Sequence, residues 1–344
     1  MKNNMNPSPD RFWEELKKHK KITVFTHTHP DPDTFCSATF LAKKLMEEGI
    51  NVHLVVPNSV PYTMTSALTT SRKILGKEKI IIYQEEPEKA DLLEGATASF
   101  IVDAFGPSRT EEAQSLVKGE IFAIDHHTSE PEADYYIWDS SMSSTALVIH
   151  RYLVEKGPLD ISSSEEAYCM LSAILTDNGW FKYPSTNYYD LEVVKKIGEK
   201  FKISPSDIAS EFLGKRIQTL KMLEISIGRL ELVEVSTESK RRVILAYTYV
   251  SLPDLKKHNA TWEDTESIAT LISELKEADI IAIAKEQEKL LYRVSFRTRK
   301  RDIDVSKIAT DLGGGGHRTS AATKITGGPA WVKHRIVQSV KKNF

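Results

Sequence analysis

The first half of the chain alternates short apolar runs with amphipathic stretches. Ile22–Thr26, Val52–Val56, Ile80–Tyr83, Ser99–Val102 and Ile121–Ile124 are brief and rich in Ile and Val, the pattern of strands covered on both faces. Helical spacing appears at Ser37–Glu48, Ser144–Lys156, Glu165–Leu175, Tyr188–Lys200 and Pro205–Ile227, and Gly49 stands where the first of these would stop. Strands alternating with helices predict an α/β fold, with an N-terminal parallel sheet and flanking helices. After Ile227 the pattern changes. Leu230–Val235 and Val243–Val250 flank a charged turn, and Ile280–Ala284 with Leu290–Phe296 reads as a second hairpin-like pair. A helix at Val305–Leu312, four glycines and a terminal amphipathic helix complete this half. It reads as a smaller α+β C-terminal domain with a mixed sheet. The expected domains are residues 1–228, with a connecting helix at the end, and 229–344.

A chain of 344 residues is long enough for two cores. Lys plus Arg is 46 and Asp plus Glu is 48, a formal net charge of −2. A near-neutral chain does not look built to hold long nucleic acid through phosphate contacts alone, although net charge says nothing about clustering and a local basic pocket is compatible with this balance. The two cysteines, Cys36 and Cys169, have no CxxC spacing, which argues against a thiolate zinc site or a disulfide framework and fits a reducing compartment. Met1–Asp10 is polar and lacks the apolar core of a signal peptide. No run approaches the roughly 18 apolar residues that span a bilayer. The expected location is cytoplasmic, with no membrane partner.

The segment richest in chemistry is His27-Thr28-His29-Pro30-Asp31-Pro32-Asp33, directly after the first strand. In an open parallel sheet, ligands bind at the carboxyl ends of strands. Two prolines restrict this loop, so fixing ligands on it costs little entropy. An acidic cap for the next helix is the plainer reading of the same aspartates. Asp125-His126-His127 also follows an apolar strand, as does Asp103, while Asp177 ends a helical run. Taken singly, Asp103 and Asp177 suit turns or caps. Taken together, His27, Asp31, Asp33, Asp103, His126 and Asp177 supply four carboxylates and two imidazoles. That set suits manganese, magnesium or cobalt, and four clustered carboxylates need cations to offset their repulsion. In the second half, Gly313-Gly314-Gly315-Gly316 is longer than a turn requires and lets backbone amides approach a phosphate. Arg297 and His317 add charge-assisted donors nearby, whereas Arg299, Lys300 and Arg301 read as a solvated face.

In this order, His27-x-x-Pro30-Asp31-x-Asp33, Ile101-Val102-Asp103, Asp125-His126-His127, Thr176-Asp177, Val294-Ser295-Phe296-Arg297 and Gly313–His317 resemble the DHH phosphoesterase superfamily over nearly the whole chain. The C-terminal half resembles the DHH-associated domain shared by RecJ-like exonucleases and the nanoRNase/pAp phosphatases, the latter being nearer in length and layout. The resemblance implies that His27, Asp31 and Asp103 hold one ion, and that Asp33, Asp103, His126 and Asp177 hold a second. Asp103 would bridge them, His127 would face the scissile phosphate, and Asp125 would orient His126. Arg297, Gly313, Gly314, Gly315, Gly316 and His317 would bind substrate. One departure stands out: Cys36 replaces the usual glycine before Ser37, which would narrow the pocket or change how the helix start packs. His29 falls at a variable position and reads as an ordinary loop histidine.

The expected activity is metal-dependent hydrolysis of short oligoribonucleotides (nanoRNA), of 3′-phosphoadenosine 5′-phosphate (pAp), or of both. Two divalent ions, Mn2+ first and Mg2+ or Co2+ as alternatives, would activate water. Linear or cyclic adenine dinucleotides (pApA, cyclic di-AMP) are the alternative substrates. A RecJ-like single-strand exonuclease and a silent nucleotide-binding regulator are less favoured: the first needs a long basic track, and the second need not retain every metal-ligand position. An inorganic pyrophosphatase of the same superfamily lacks the glycine–histidine signature. No long nucleic-acid partner is expected, and the chain would act as a monomer or homodimer.

Overall fold

The computed structural model describes residues 8–128 and 132–344; of the polar segment Met1–Asp10, residues 1–7 lie outside them. The chain divides into two compact units, one ending at Gly214 and one running Lys215–Phe344.

The first unit contains α1 (Pro9–Lys17), β1 (Lys21–Phe25), α2 (Pro32–Glu47), β2 (Asn51–Val56), α3 (Thr65–Leu75), β3 (Ile80–Ile82), β4 (Ala98–Val102), β5 (Glu120–Asp125), β6 (Tyr135–Trp138), α4 (Thr145–Ile149), α5 (Ser164–Asp177), α6 (Tyr188–Phe201) and α7 (Pro205–Leu213). Its six strands are all parallel, in the order β3-β2-β1-β4-β5-β6. Alternate residues of each strand serve opposite faces. Val24, Leu54, Phe100 and Phe122 enter the main core with α1, α2 and α5, whereas Phe25, Val55, Ile81 and Ile101 pack in a smaller core on the other face. Phe12 of α1 sets its ring edge-on against Phe100 and Phe122, with centroids 5.7 and 5.5 Å away. Strand order reverses between β1 and β4, and the crevice outside their carboxyl ends is the switch point where such sheets bind ligands.

Several boundaries differ from the sequence pattern. The first long helix starts at Pro32 rather than Ser37, because Asp31 caps it and proline is accepted at the first helical position. Strand β6, Tyr-Tyr-Ile-Trp, is short and partly exposed and is absent from the strands expected above. The stretch from Ser144 begins as a helix capped by the Ser144 hydroxyl, but α4 passes after five residues into a π-helical segment, His150–Glu155. Pro205–Ile227 is two helices, α7 and α8 (Ile217–Gly228), broken at Gly214. The division into units falls there and not at 228/229. Met222 of α8 is buried against Ala246, Val250, Ile281 and Ile283, so this helix belongs to the second core.

After α8 the second unit has β7 (Glu231–Ser236), β8 (Arg242–Val250), α9 (Leu252–His258), α10 (Glu266–Ile272), β9 (Ile280–Glu288), β10 (Leu291–Arg297), α11 (Val305–Asp311), β11 (Gly315–His317), β12 (Ser320–Thr326) and α12 (Pro329–Asn343). Its sheet runs β11-β12-β10-β9-β8-β7 and is mixed: β8 and β9 are parallel, and the other neighbours are antiparallel. Among the described residues no helix is long and apolar enough to cross a membrane.

Candidate metal centre

The loop after β1 is held from several sides. The Thr28 amide donates to the carbonyl of Arg109 (2.7 Å), and Asn58 Oδ1 accepts from Thr28 Oγ1 (2.6 Å) and from the His29 amide (3.1 Å). His29 adopts a positive φ of 53° and is exposed. His27 is buried; its Nδ1 donates to the Thr28 carbonyl (2.7 Å), so in the neutral ring Nε2 is the free lone pair. That nitrogen lies 3.7 Å from Asp31 Oδ2 and 3.3 Å from Asp103 Oδ2. Asp31 does both things its sequence context suggested: Oδ1 caps α2 by accepting from the Thr34 amide (3.0 Å), and Oδ2 turns toward His27.

Asp33, in the first turn of α2, is buried against the start of α4. Its Oδ2 accepts from the Thr145 amide (2.7 Å) and its Oδ1 from the Ala146 amide (3.1 Å) and Ser37 Oγ (3.2 Å). A helix N-terminus is a natural seat for a carboxylate. Asp103 leaves β4 with φ 63°, a left-handed conformation that costs energy for most residues and that aspartate tolerates best alongside asparagine. The twist directs its two oxygens to different neighbours. Oδ2 faces His27, whereas Oδ1 lies 3.5 Å from His126 Nε2 and accepts from Thr145 Oγ1 at 2.7 Å. Asp177, the last residue of α5, brings Oδ2 to 3.3 Å from His126 Nε2.

The structure thus gathers all six expected donors. His27, Asp31 and Asp103 form one close group and Asp33, His126 and Asp177 another, with ligand atoms in each group within 4.8 Å of one another; Asp103, Asp125, His126 and His127 form a third. Asp125 does not orient His126. Its Oδ1 accepts from the His127 ring Nδ1 at 2.8 Å and from the amides of His126 and His127, whereas His126 Nδ1 faces the Met142 carbonyl at 3.3 Å. The third residue of the triplet is the one its carboxylate steers.

Electrostatics show an excess of negative charge. Burial, then Asp103 and Asp177, holds the Asp33 carboxyl well above the usual range. Burial, then Asp103 and Asp31, pushes Asp177 up to about 8. For His27, burial works against the charged ring, but hydrogen bonds to Asp103 and Asp31 prevail and carry it up to about 10. Oδ2 of Asp125 and Oδ2 of Asp177 are buried without a hydrogen-bond partner. Mixed carboxylate and imidazole donors, buried and uncompensated, fit hard or borderline divalent ions.

Phe35 and Cys36 are fully buried in the main core, and Cys36 faces Cys169 of α5. The residue replacing glycine therefore packs in the core between α2 and α5. Thr145 and Asn58 were not singled out from the sequence; the only signal for Thr145 was its place in a polar start, Ser143-Ser144-Thr145, to an apolar helix. A cavity of about 370 Å³ lined by His150, Leu159, Ile197 and Phe201, among others, contains none of the clustered carboxylates.

In the second unit, register pairs Arg297 with Ser320 and Ser320 with His317, so the three lie side by side across β10, β12 and β11. The glycine run is not a loose loop. A Cβ on Gly314 would lie 2.2 Å from the Ala322 carbonyl oxygen, and one on Gly316, at φ 140°, would lie 2.5 Å from the Ala321 Cα. Gly315 faces open space.

Comparison with known proteins agrees with this architecture. Residues 21–174 match the DHH family N-terminal domain, and residues 243–343 match the DHHA1 domain. The chain is 24% identical over 310 residues to a probable bifunctional oligoribonuclease and PAP phosphatase NrnA of Streptococcus mutans, covering 88% of this chain and 89% of that one. It is 24% identical over 285 residues to a manganese-dependent inorganic pyrophosphatase of Bacillus subtilis, covering 77% and 86%. An exopolyphosphatase-related protein from Bacteroides fragilis shares the fold, with a TM-score of 0.80 at 20% identity over 97% of this chain and 96% of that one. The chain belongs to the DHH phosphoesterases and is a phosphoric-ester hydrolase.

Proposed function

We propose that this DHH phosphoesterase hydrolyses short oligoribonucleotides and pAp with two divalent ions, manganese foremost, in the cytoplasm. One observation carries the reading: Asp103 stands between two donor groups, Oδ2 at 3.3 Å from His27 Nε2 and Oδ1 at 3.5 Å from His126 Nε2. His27, Asp31 and Asp103 would hold one ion, and Asp33, Asp103, His126 and Asp177 the other. Bound divalent ions supply charge that offsets the carboxylates and lowers the pKa of water at the site. His127 remains outside this ligand set. Asp125 accepts a hydrogen bond from its Nδ1–H and, with burial opposing, pushes the half-exposed ring up to about 9 in the metal-free protein. Its Nε2–H is then available to donate to a phosphate oxygen or to the departing alkoxide. From the second unit, Arg297, His317 and the amides of Gly313–Gly316 would bind the substrate's phosphate or base.

The Streptococcus relative supports nucleotide substrates, since the similarity runs through both domains. A pyrophosphatase reading draws on the Bacillus subtilis relative. A product profile of purified protein with manganese separates the readings, with pAp, pApA, cyclic di-AMP, a tetraribonucleotide and pyrophosphate as substrates. The nucleotide reading expects kcat/KM highest on the tetranucleotide and measurable on pAp. Hydrolysis of pyrophosphate alone would overturn it.

A further inference from the structure

Arg297 and His317 occupy one end of an open sheet face, and the other end is cationic too. Along β10, Arg293, Ser295 and Arg297 share a face because strand residues alternate. Register adds their neighbours: Lys324, Ala322 and Ser320 on β12, and Lys285, Ile283 and Ile281 on β9. Lys285, Arg293 and Lys324 therefore form a row across three strands. Between this row and the Arg297–Ser320–His317 row lies a floor of small residues, Ser295, Ala322 and Gly315. Over β8 and β9 the same face is covered, where Ala246, Val250, Ile281 and Ile283 pack under Met222, Leu255 and Ile268. Over β10 and β12 it is open: Arg293 and Lys324 are exposed, and Ser295 and Ala322 half-buried.

Some cations of this unit are matched. Arg229 pairs with Asp254, Arg241 with Asp302, and Lys333 with Glu231. Among the described residues no ion pair or side-chain hydrogen bond uses Lys285, Arg293 or Lys324, and Arg297 donates only to the neighbouring Phe296 carbonyl. Like charges placed opposite one another on adjacent strands repel. At Lys285 burial is what pushes the ammonium down to about 8; Glu266 opposes it, and Arg293 and Arg297 add a smaller push in the same direction. A row of this kind is relieved by a bound anion.

We propose that Lys285, Arg293 and Lys324 form a second phosphate site, which holds a phosphodiester group distant from the one at Arg297 and His317 and so selects short oligoribonucleotides over mononucleotides. The proposal rests on the phosphoesterase reading above. Four residues of strand separate the rows by about 13 Å, well beyond one stacked nucleotide step of roughly 3.4 Å, so phosphates held at the two rows belong to different nucleotides. A nucleoside bisphosphate carries both phosphates on one ribose and is too short to reach both rows.

The test uses the full chain with manganese, comparing wild type with Arg293→Ala/Lys324→Ala, whose side chains are exposed and outside the core. The double variant should lose roughly tenfold to a hundredfold in kcat/KM on a tetraribonucleotide while staying within about twofold on pAp. Its salt dependence on the tetranucleotide should flatten by about one to two units of slope. Arg293→Lys should recover part of the loss. Binding of a fluorescent tetranucleotide to the chelator-treated protein should weaken in parallel. Equal losses on both substrates, or no loss on either, overturns the second site. Wild-type protein that cleaves no oligonucleotide overturns the functional reading itself, and the wild-type control separates that failure from the first.

Discussion

The chemistry of the centre turns on where individual oxygens point. Asp103 presents one oxygen to each donor group. Asp103→Asn keeps the shape but removes the charge, and turnover under saturating manganese should fall below about a tenth of wild type, a loss above ~1.4 kcal/mol. Asp125 offers a sharper discrimination. Because its carboxylate serves the His127 ring and not His126, Asp125→Asn should lower kcat while elemental analysis finds manganese content unchanged. Loss of one ion from that variant would return Asp125 to a role at His126. Protonation gives a third expectation, for chelator-treated protein. Asp177 and His27 have folded pKa values of about 8 and 10, above their unfolded values, so the folded state binds more protons across this range. Stability falls wherever the unfolded state binds fewer protons. The metal-free melting temperature should therefore drop between pH 5 and about 8, less steeply in Asp177→Asn, and manganese should remove the drop. A metal-free protein equally stable at both ends would show that the cluster is not electrostatically frustrated. The donors themselves were legible in the sequence because they follow apolar strands or end a helix. The partner of Asp125 was not, because neighbouring histidines look alike until their side-chain torsions are known.

Elements explain why those side chains stay in place. The start of α2 carries Asp31 as its cap and Asp33 two residues on, within the first turn, so one helix start delivers a carboxylate to each donor group. Proline at the first helical position is the sequence signal for this start, and the polar run to Ser37 masks it. The start of α4 is the second clamp: the Thr145 and Ala146 amides hold Asp33, and the Thr145 hydroxyl holds Asp103. Thr145→Val keeps the amide and the shape but removes the hydroxyl. It should raise the manganese concentration for half-maximal activity and cost roughly 1–2 kcal/mol in kcat/KM, the scale of a hydrogen bond to a charged group. Thr145→Ser should restore most of it. An unchanged manganese requirement in Thr145→Val would mean that the clamp on Asp103 is unnecessary. No periodicity announced this contact, which joins residues 42 positions apart; it exists only because β4 ends beside the start of α4.

At the scale of the molecule, the alternating pattern made the parallel sheet and the later change to hairpin-like pairs legible. The third dimension of the second unit was less so, since β11 (Gly-Gly-His) and β12 (Ser-Ala-Ala-Thr-Lys-Ile-Thr) carry no long apolar run. Those inconspicuous strands place Arg297, His317 and the row at Arg293 on one face. The charge distribution then bears on substrate length. With a net charge of −2, the chain has no excess of cations to track a strand. Its unmatched cations on the open face span about 13 Å. Each nucleotide beyond that span adds a phosphate outside these two rows and a segment whose ordering costs entropy. In single-turnover cleavage of 5′-labelled RNAs from dimer to about 24-mer, kcat/KM should be highest for di- to pentanucleotides and should fall steeply as the RNA lengthens. Low salt, which strengthens any electrostatic hold on a long strand, should not reverse the fall, because the missing element is a row of cations and not the strength of existing ones. A longest RNA cleaved as fast as the tetramer would instead require a cationic track continuing past Arg293, and would move this chain toward the RecJ-like exonucleases.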